Sequence, residues 1–179
     1  MKQSFPVVLC IALAACGGAA DSPKASAPKP ASPAVAALML AKAPADAIGV
    51  KAAKEKGAAD DVTVTGRLYD ITSGFAVLKI MDLAIPYCGE TNKEDKCKKP
   101  WDYCCESKDV QTSNSLLVEA RGADGKPLAS PGLGDLQLLD RITVTGKLQT
   151  DDHGNLVLLA KGWHRNERPA LPDYVQWPQ

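Results

Sequence analysis

Across its 179 residues the chain has no C-x-x-C pair, no H-E-x-x-H, no G-x-S-x-G and no glycine-rich phosphate loop. Without C-x-x-C it lacks the paired knuckles of a zinc ribbon, the dithiol of a typical disulfide exchanger and the C-x-x-C-H of haem attachment. The other absences remove the signatures of metalloprotease, serine-hydrolase and phosphate-binding chemistry. Aromatics are scarce, with two Phe, four Tyr and three Trp, and 21 Lys and Arg balance 21 Asp and Glu. Single-stranded nucleic acid is gripped by a basic groove lined with rings on which bases stack. The strand-like segments offer only Tyr69, Phe75 and Trp163 for that purpose, so nucleic acid is not the expected ligand. The apolar run from Phe5 to Ala15 is also too short to cross a bilayer as a helix.

That run has a different meaning. Lys2 is the only charge before Asp21, and an apolar core with small residues after it describes an export signal over 1–15. Its end, Leu13-Ala14-Ala15-Cys16, resembles the lipobox of bacterial lipoproteins. The resemblance implies cleavage before Cys16, acylation of Cys16 by chains such as palmitate, and attachment to the membrane without a spanning helix. Each buried CH₂ contributes about 0.8 kcal/mol to such an anchor. Gly17, in place of Asp, implies the outer membrane facing the periplasm over retention at the inner one. Loss of Lys2 leaves 20 basic against 21 acidic residues, a net charge of −1.

Residues 16–43, rich in Ala, Pro and Ser after the lipidated cysteine, read as a tether. "PADAIGVKAAKEKG" (44–57) predicts a short helix with Pro44 at its start and Gly57 as its stop. Five strands follow, at 62–70, 75–82, 115–121, 141–149 and 155–165. The first and fourth, "VTVTGRLYD" and "RITVTGKLQ", alternate apolar and polar residues. Leu133, Leu136 and Leu139 recur at helical spacing and predict a short helix between the third and fourth strands. Gly66 and Gly146 would be the points where strands bend sharply in a small closed barrel. This order resembles the OB-fold, an all-β, five-stranded Greek-key barrel, over 60–165. The resemblance raises oligonucleotide binding, against which the charge and ring inventory argues. The tail at 166–179, "RPALPDYVQWPQ" in its last part, is expected to lie against the barrel through Tyr174 and Trp177.

The departure from a minimal barrel is the connection 83–114 between strands two and three, where a hairpin needs two to five residues. It holds Cys88, Cys97, Cys104 and Cys105, the four thiols left once Cys10 departs with the signal and Cys16 takes lipid. Two disulfides are the first expectation: the chain is exported, the count is even, and the loop lacks a core of its own. Closing a loop of about fifteen residues contributes roughly 3 kcal/mol. Adjacent Cys104 and Cys105 should pair outward, in an order left open. A tetrahedral thiolate site for zinc or copper is the second expectation, with "CKK" supplying charge that favours thiolate. A catalytic thiol is the third.

"PWDYCC" also resembles a segment of uncharacterised envelope proteins with an OB-like architecture, a likeness that implies a fold and no activity. His153, in "DDHGN", belongs to a polar hairpin tip rather than a cation site. The combined expectation is a lipid-anchored, non-catalytic envelope protein. It would contact another envelope protein through the insertion, with Trp101 and Tyr103 as contact residues. No cofactor is required by this reading; zinc or copper binding is its alternative.

Overall fold

The computed structural model describes residues 29–178. The signal at 1–15, the lipidation position Cys16 and the tether to residue 28 lie outside the described residues.

Six strands form among the described residues: β1 (Ile48–Gly49), β2 (Ala59–Ile71), β3 (Val77–Met81), β4 (Ser115–Glu119), β5 (Arg141–Thr150) and β6 (Leu156–Glu167). They are hydrogen-bonded in the order β1-β2-β3-β4-β6-β5, and β5 pairs back onto β2. Five strands thus close into a barrel with no free edge between β2 and β5. Its one parallel pair is β4 with β6. This is the all-β, OB-like barrel that the strand order predicts.

Period-two alternation builds it. Val62, Val64 and Leu68 of β2, with Ile142, Val144 and Leu148 of the neighbouring β5, are all buried in the interior. Burying each such side chain contributes about 1.5–3 kcal/mol. The two similar strands pair antiparallel, so that Gly66 opposes Ile142 and Gly146 opposes Val62. A β-carbon at Gly66 would lie 2.9 Å from the Met81 carbonyl oxygen, and one at Gly146 would run into the Leu159 carbonyl. A bulge between β5 and β6 falls at Thr145/Gly146. Both glycines therefore serve close backbone approach, as a tightly curved barrel demands.

Three expectations about the surroundings need correction. The first helix of appreciable length is α2 (Val50–Lys56), which starts well after Pro44. The Asp82 carboxylate at the end of β3 accepts from the Lys51 amide at 2.7 Å, so a distant carboxylate sets the start. Gly57, at φ +75°, ends it as expected.

No helix stands between β4 and β5. Gly134 (φ +73°) and Leu139 (φ +68°) break the run into turns, and the Leu139 amide donates to the Leu68 carbonyl at 2.7 Å. Leu133, Leu136, Leu138 and Leu139 are nevertheless buried. Their spacing suits a plug of turns as well as a helix.

Residues 29–43 do not behave as tether. α1 (Pro33–Ala36) places Val35 in the core, fully buried. The chain then runs beside β6, the Trp163 amide donating to Leu38 and the Leu40 amide donating to Trp163.

Candidate metal centre

The β3–β4 connection is anchored to the barrel by side chains from β2. Arg67 donates to the Ile85 carbonyl at 3.3 Å and to a Glu90 carboxylate oxygen at 2.7 Å, and its guanidinium lies 5.0 Å from the centre of the Tyr87 ring. The other Glu90 oxygen accepts from the Tyr87 amide. Both sides of Cys88 are thereby fixed to the barrel. The insertion's far end is a short helix, α3 (Lys108–Ser113), capped by Ser107, which leads into β4. Its Gln111 is buried and donates to the carbonyls of Tyr103 (2.9 Å) and Glu106 (3.0 Å) while accepting from the Tyr69 hydroxyl.

Between these anchors a single-turn 3-10 helix (Pro100–Asp102) ends at Tyr103, held at φ +46°. That left-handed residue starts a turn closed by the Glu106 amide donating to the Tyr103 carbonyl at 2.9 Å. Cys104 and Cys105 are the turn's two central residues. The turn therefore aims two consecutive sulfurs at Cys88, whose amide is held by the Pro100 carbonyl. Cys88 Sγ lies 3.4 Å from Cys105 Sγ and 3.5 Å from Cys104 Sγ, and Cys97 Sγ lies 3.8 Å from Cys104 Sγ. The sulfurs of Cys88, Cys104 and Cys105 are all within 4.8 Å of one another, a set that could hold a metal ion. The sequence brought four thiols to one loop; the structure brings the sulfurs of Cys88, Cys104 and Cys105 together, with Cys97 alongside Cys104.

The spacing has a chemical meaning. A disulfide needs about 2.05 Å, and none of these approaches is that short. A tetrahedron of thiolates around zinc, with bonds near 2.3 Å, has edges of about 3.8 Å. The three approaches lie within a few tenths of an ångström of that edge. The expected difficulty of placing neighbouring cysteines on one ion is met by the left-handed Tyr103 and the turn it opens.

The thiols are not equivalent. Burial pushes the Cys88 thiol up to about 11. Hydrogen bonding to Cys88, with the charge of its neighbours, raises exposed Cys105 to about 11 as well. At Cys97 a hydrogen bond with Cys88 lowers the value, but burial and the neighbouring sulfurs outweigh it and the net shift is upward. Cys104 is shifted down, because Cys88 and Cys97 hydrogen-bond to its thiolate. One sulfur thus ionises ahead of the rest. The loop itself carries Lys93, Lys96, Lys98 and Lys99, offset by Glu90, Glu94, Asp95 and Asp102.

Trp101 and Tyr103 do not form the expected contact surface. They are 6 % and 1 % exposed. Trp101 stacks on Trp177 of the tail, ring centres 5.1 Å apart, and Tyr103 meets Tyr69 edge to face. The tail crosses the insertion as well as the barrel: the Gln176 amide donates to the Lys98 carbonyl, and the Tyr174 hydroxyl to that of Asp95. A cavity of about 350 Å³ remains beneath it, with Cys88 and Cys97 on one wall and Leu171 and Tyr174 on the other.

His153 sits in the hairpin tip, where Asp151 accepts from the amides of His153 and Asn155. Arg67, Glu90 and Gln111 are the participants that sequence reasoning missed. Arg67 is on the polar side of a strand, and nothing local distinguishes it from a solvated cation.

No protein-family model matches the chain, and no curated protein is similar to it in sequence.

Proposed function

We propose that this chain is a lipid-anchored protein of the cell envelope whose OB-like barrel presents a thiolate site for a soft metal ion, zinc or copper(I). Cys88, Cys104 and Cys105 supply three ligands and Cys97 the fourth. The role is binding rather than catalysis. One observation carries the metal reading: the sulfurs of Cys88, Cys104 and Cys105 all lie within 4.8 Å of one another, and Cys97 Sγ adjoins them 3.8 Å from Cys104 Sγ. Soft thiolates select zinc and copper(I) over harder ions. The barrel side chains that clamp Tyr87 and Glu90 act as outer supports that hold a ligand loop in place. The anchor at Cys16 and the envelope location rest on the signal and lipobox motif.

Anaerobic purification followed by elemental analysis tests the reading. The expected result is one zinc or copper per chain, with thiols that alkylate only after the ion is removed. Cobalt(II) substitution should give the intense thiolate-to-metal absorption of a tetrahedral sulfur site. A chain that stays metal-free and accepts no cobalt after full reduction would overturn it. Cys16→Ser should abolish palmitate labelling without altering metal content.

A further inference from the structure

The geometry points to a single oxidised form of the cluster, with bridges Cys97–Cys104 and Cys88–Cys105, reached by exchange with a small disulfide and incompatible with a bound ion. Four cysteines allow three pairings. One of them joins Cys104 to Cys105, and the eight-membered ring of adjacent cysteines strains the peptide between them. A second joins Cys88 to Cys104 and strands Cys97 with Cys105, a pair that makes no sulfur–sulfur hydrogen-bond contact. The third uses the shortest approach, 3.4 Å between Cys88 and Cys105. It leaves Cys97 and Cys104, which already lie 3.8 Å apart. Both bridges then form by side-chain rotation, each sulfur pair closing by about 1.3–1.8 Å.

Access suits the reaction. Cys104 and Cys105 are exposed and Cys97 is half-buried, so each bridge has a partner that an oxidant can reach. A thiolate of the cluster attacks one sulfur of the oxidant's disulfide and expels a thiolate. The paired cysteine then attacks the mixed disulfide and expels the second. Two oxidant disulfides convert four protein thiolates to two bridges and appear as four reduced thiols. A thiolate that has become half of a bridge no longer binds metal as an anion, so a resident ion is released in the same steps.

The pairing rests on the sulfur positions alone, whereas the release rests on the proposed metal site, and the experiment separates them. Metal-free reduced protein is treated with oxidised glutathione, quenched, and mapped by differential alkylation with fragment sequencing that splits Cys104 from Cys105. The expected product has lost four hydrogens and carries Cys97–Cys104 and Cys88–Cys105. A Cys88–Cys104 or Cys104–Cys105 bridge as the main product overturns the pairing. In Cys104→Ser, Cys88–Cys105 should still form while Cys97 remains a thiol; a Cys97–Cys105 bridge would overturn it independently. Circular dichroism of the variant confirms an intact barrel. Zinc-loaded protein under the same oxidant should release its ion in step with bridge formation, and bridges formed with zinc retained would sink the exclusion.

Discussion

Tyr103 sets the placement of its neighbours through its backbone. Its left-handed backbone opens the turn that sends Cys104 and Cys105 toward Cys88, while its ring is buried against Tyr69. Burial raises its hydroxyl to about 12, against the opposing pull of the nearby Arg67 guanidinium. The thiols themselves set a pH dependence. A metal takes thiolates, and Cys88, Cys97 and Cys105 all sit above the ordinary thiol value. At neutral pH these three hold protons that binding must displace, so affinity rises with pH and falls on acidification. Zinc competition against a chromophoric chelator between pH 6 and 8 should give a slope of at least three in log affinity per pH unit, one for each proton displaced. A flat profile would mean that the ligands are not these sulfurs.

The strands of the barrel were legible because alternation is a local signal: each of Val62, Val64 and Leu68 announces its face within a few residues. The plug at 128–140 was not, since leucines three apart satisfy a helix and a chain of turns equally, and the deciding angles at Gly134 and Leu139 depend on contacts such as Leu139 with Leu68. The ordered run at 29–43 is hidden in the sequence for a related reason. Its composition describes an unfolded tether, and only the backbone of β6 beside it makes Leu38 and Leu40 part of the sheet. The cysteine cluster was half legible: four thiols in one overlong loop were plain, but the turn that converges them follows from one residue's backbone. The tail belongs to this group, since Trp177 and Trp101 are 76 positions apart and meet only in the fold. Stacked rings contribute about 0.5–1.5 kcal/mol beyond their buried area. Trp177→Ala should therefore release the tail, red-shift the emission of newly exposed Trp101, and raise the alkylation rate of Cys97 in metal-free protein several-fold. Unchanged emission and alkylation would show that the stack does not hold the tail down.

At the scale of the molecule, two bodies of unequal strength share one chain. The barrel interior is continuous, with Val64, Leu68, Ile80, Val118, Val144, Leu148 and Leu158 at 0 % exposure. The insertion buries only Cys88, Pro100, Trp101, Tyr103 and Gln111 among its 32 residues from 83 to 114. Ordering a backbone costs about 1–2 kcal/mol per residue, and five buried side chains offset little of that for so long a loop. The rest must come from Arg67, the tail and whatever joins the four sulfurs. A structural thiolate ion contributes about 10–16 kcal/mol in small zinc domains, enough to make the insertion's order depend on it while the barrel stands alone. Removing the ion by chelation under reducing conditions should then abolish hydrogen-exchange protection around 86–107 and in the tail at 171–178. The slowest amides of β2, β5 and β6 should keep theirs, and the main thermal transition should remain cooperative. If chelation melts the barrel with the insertion, the ion braces the whole fold, and the division into a self-sufficient barrel and a metal-ordered loop is wrong.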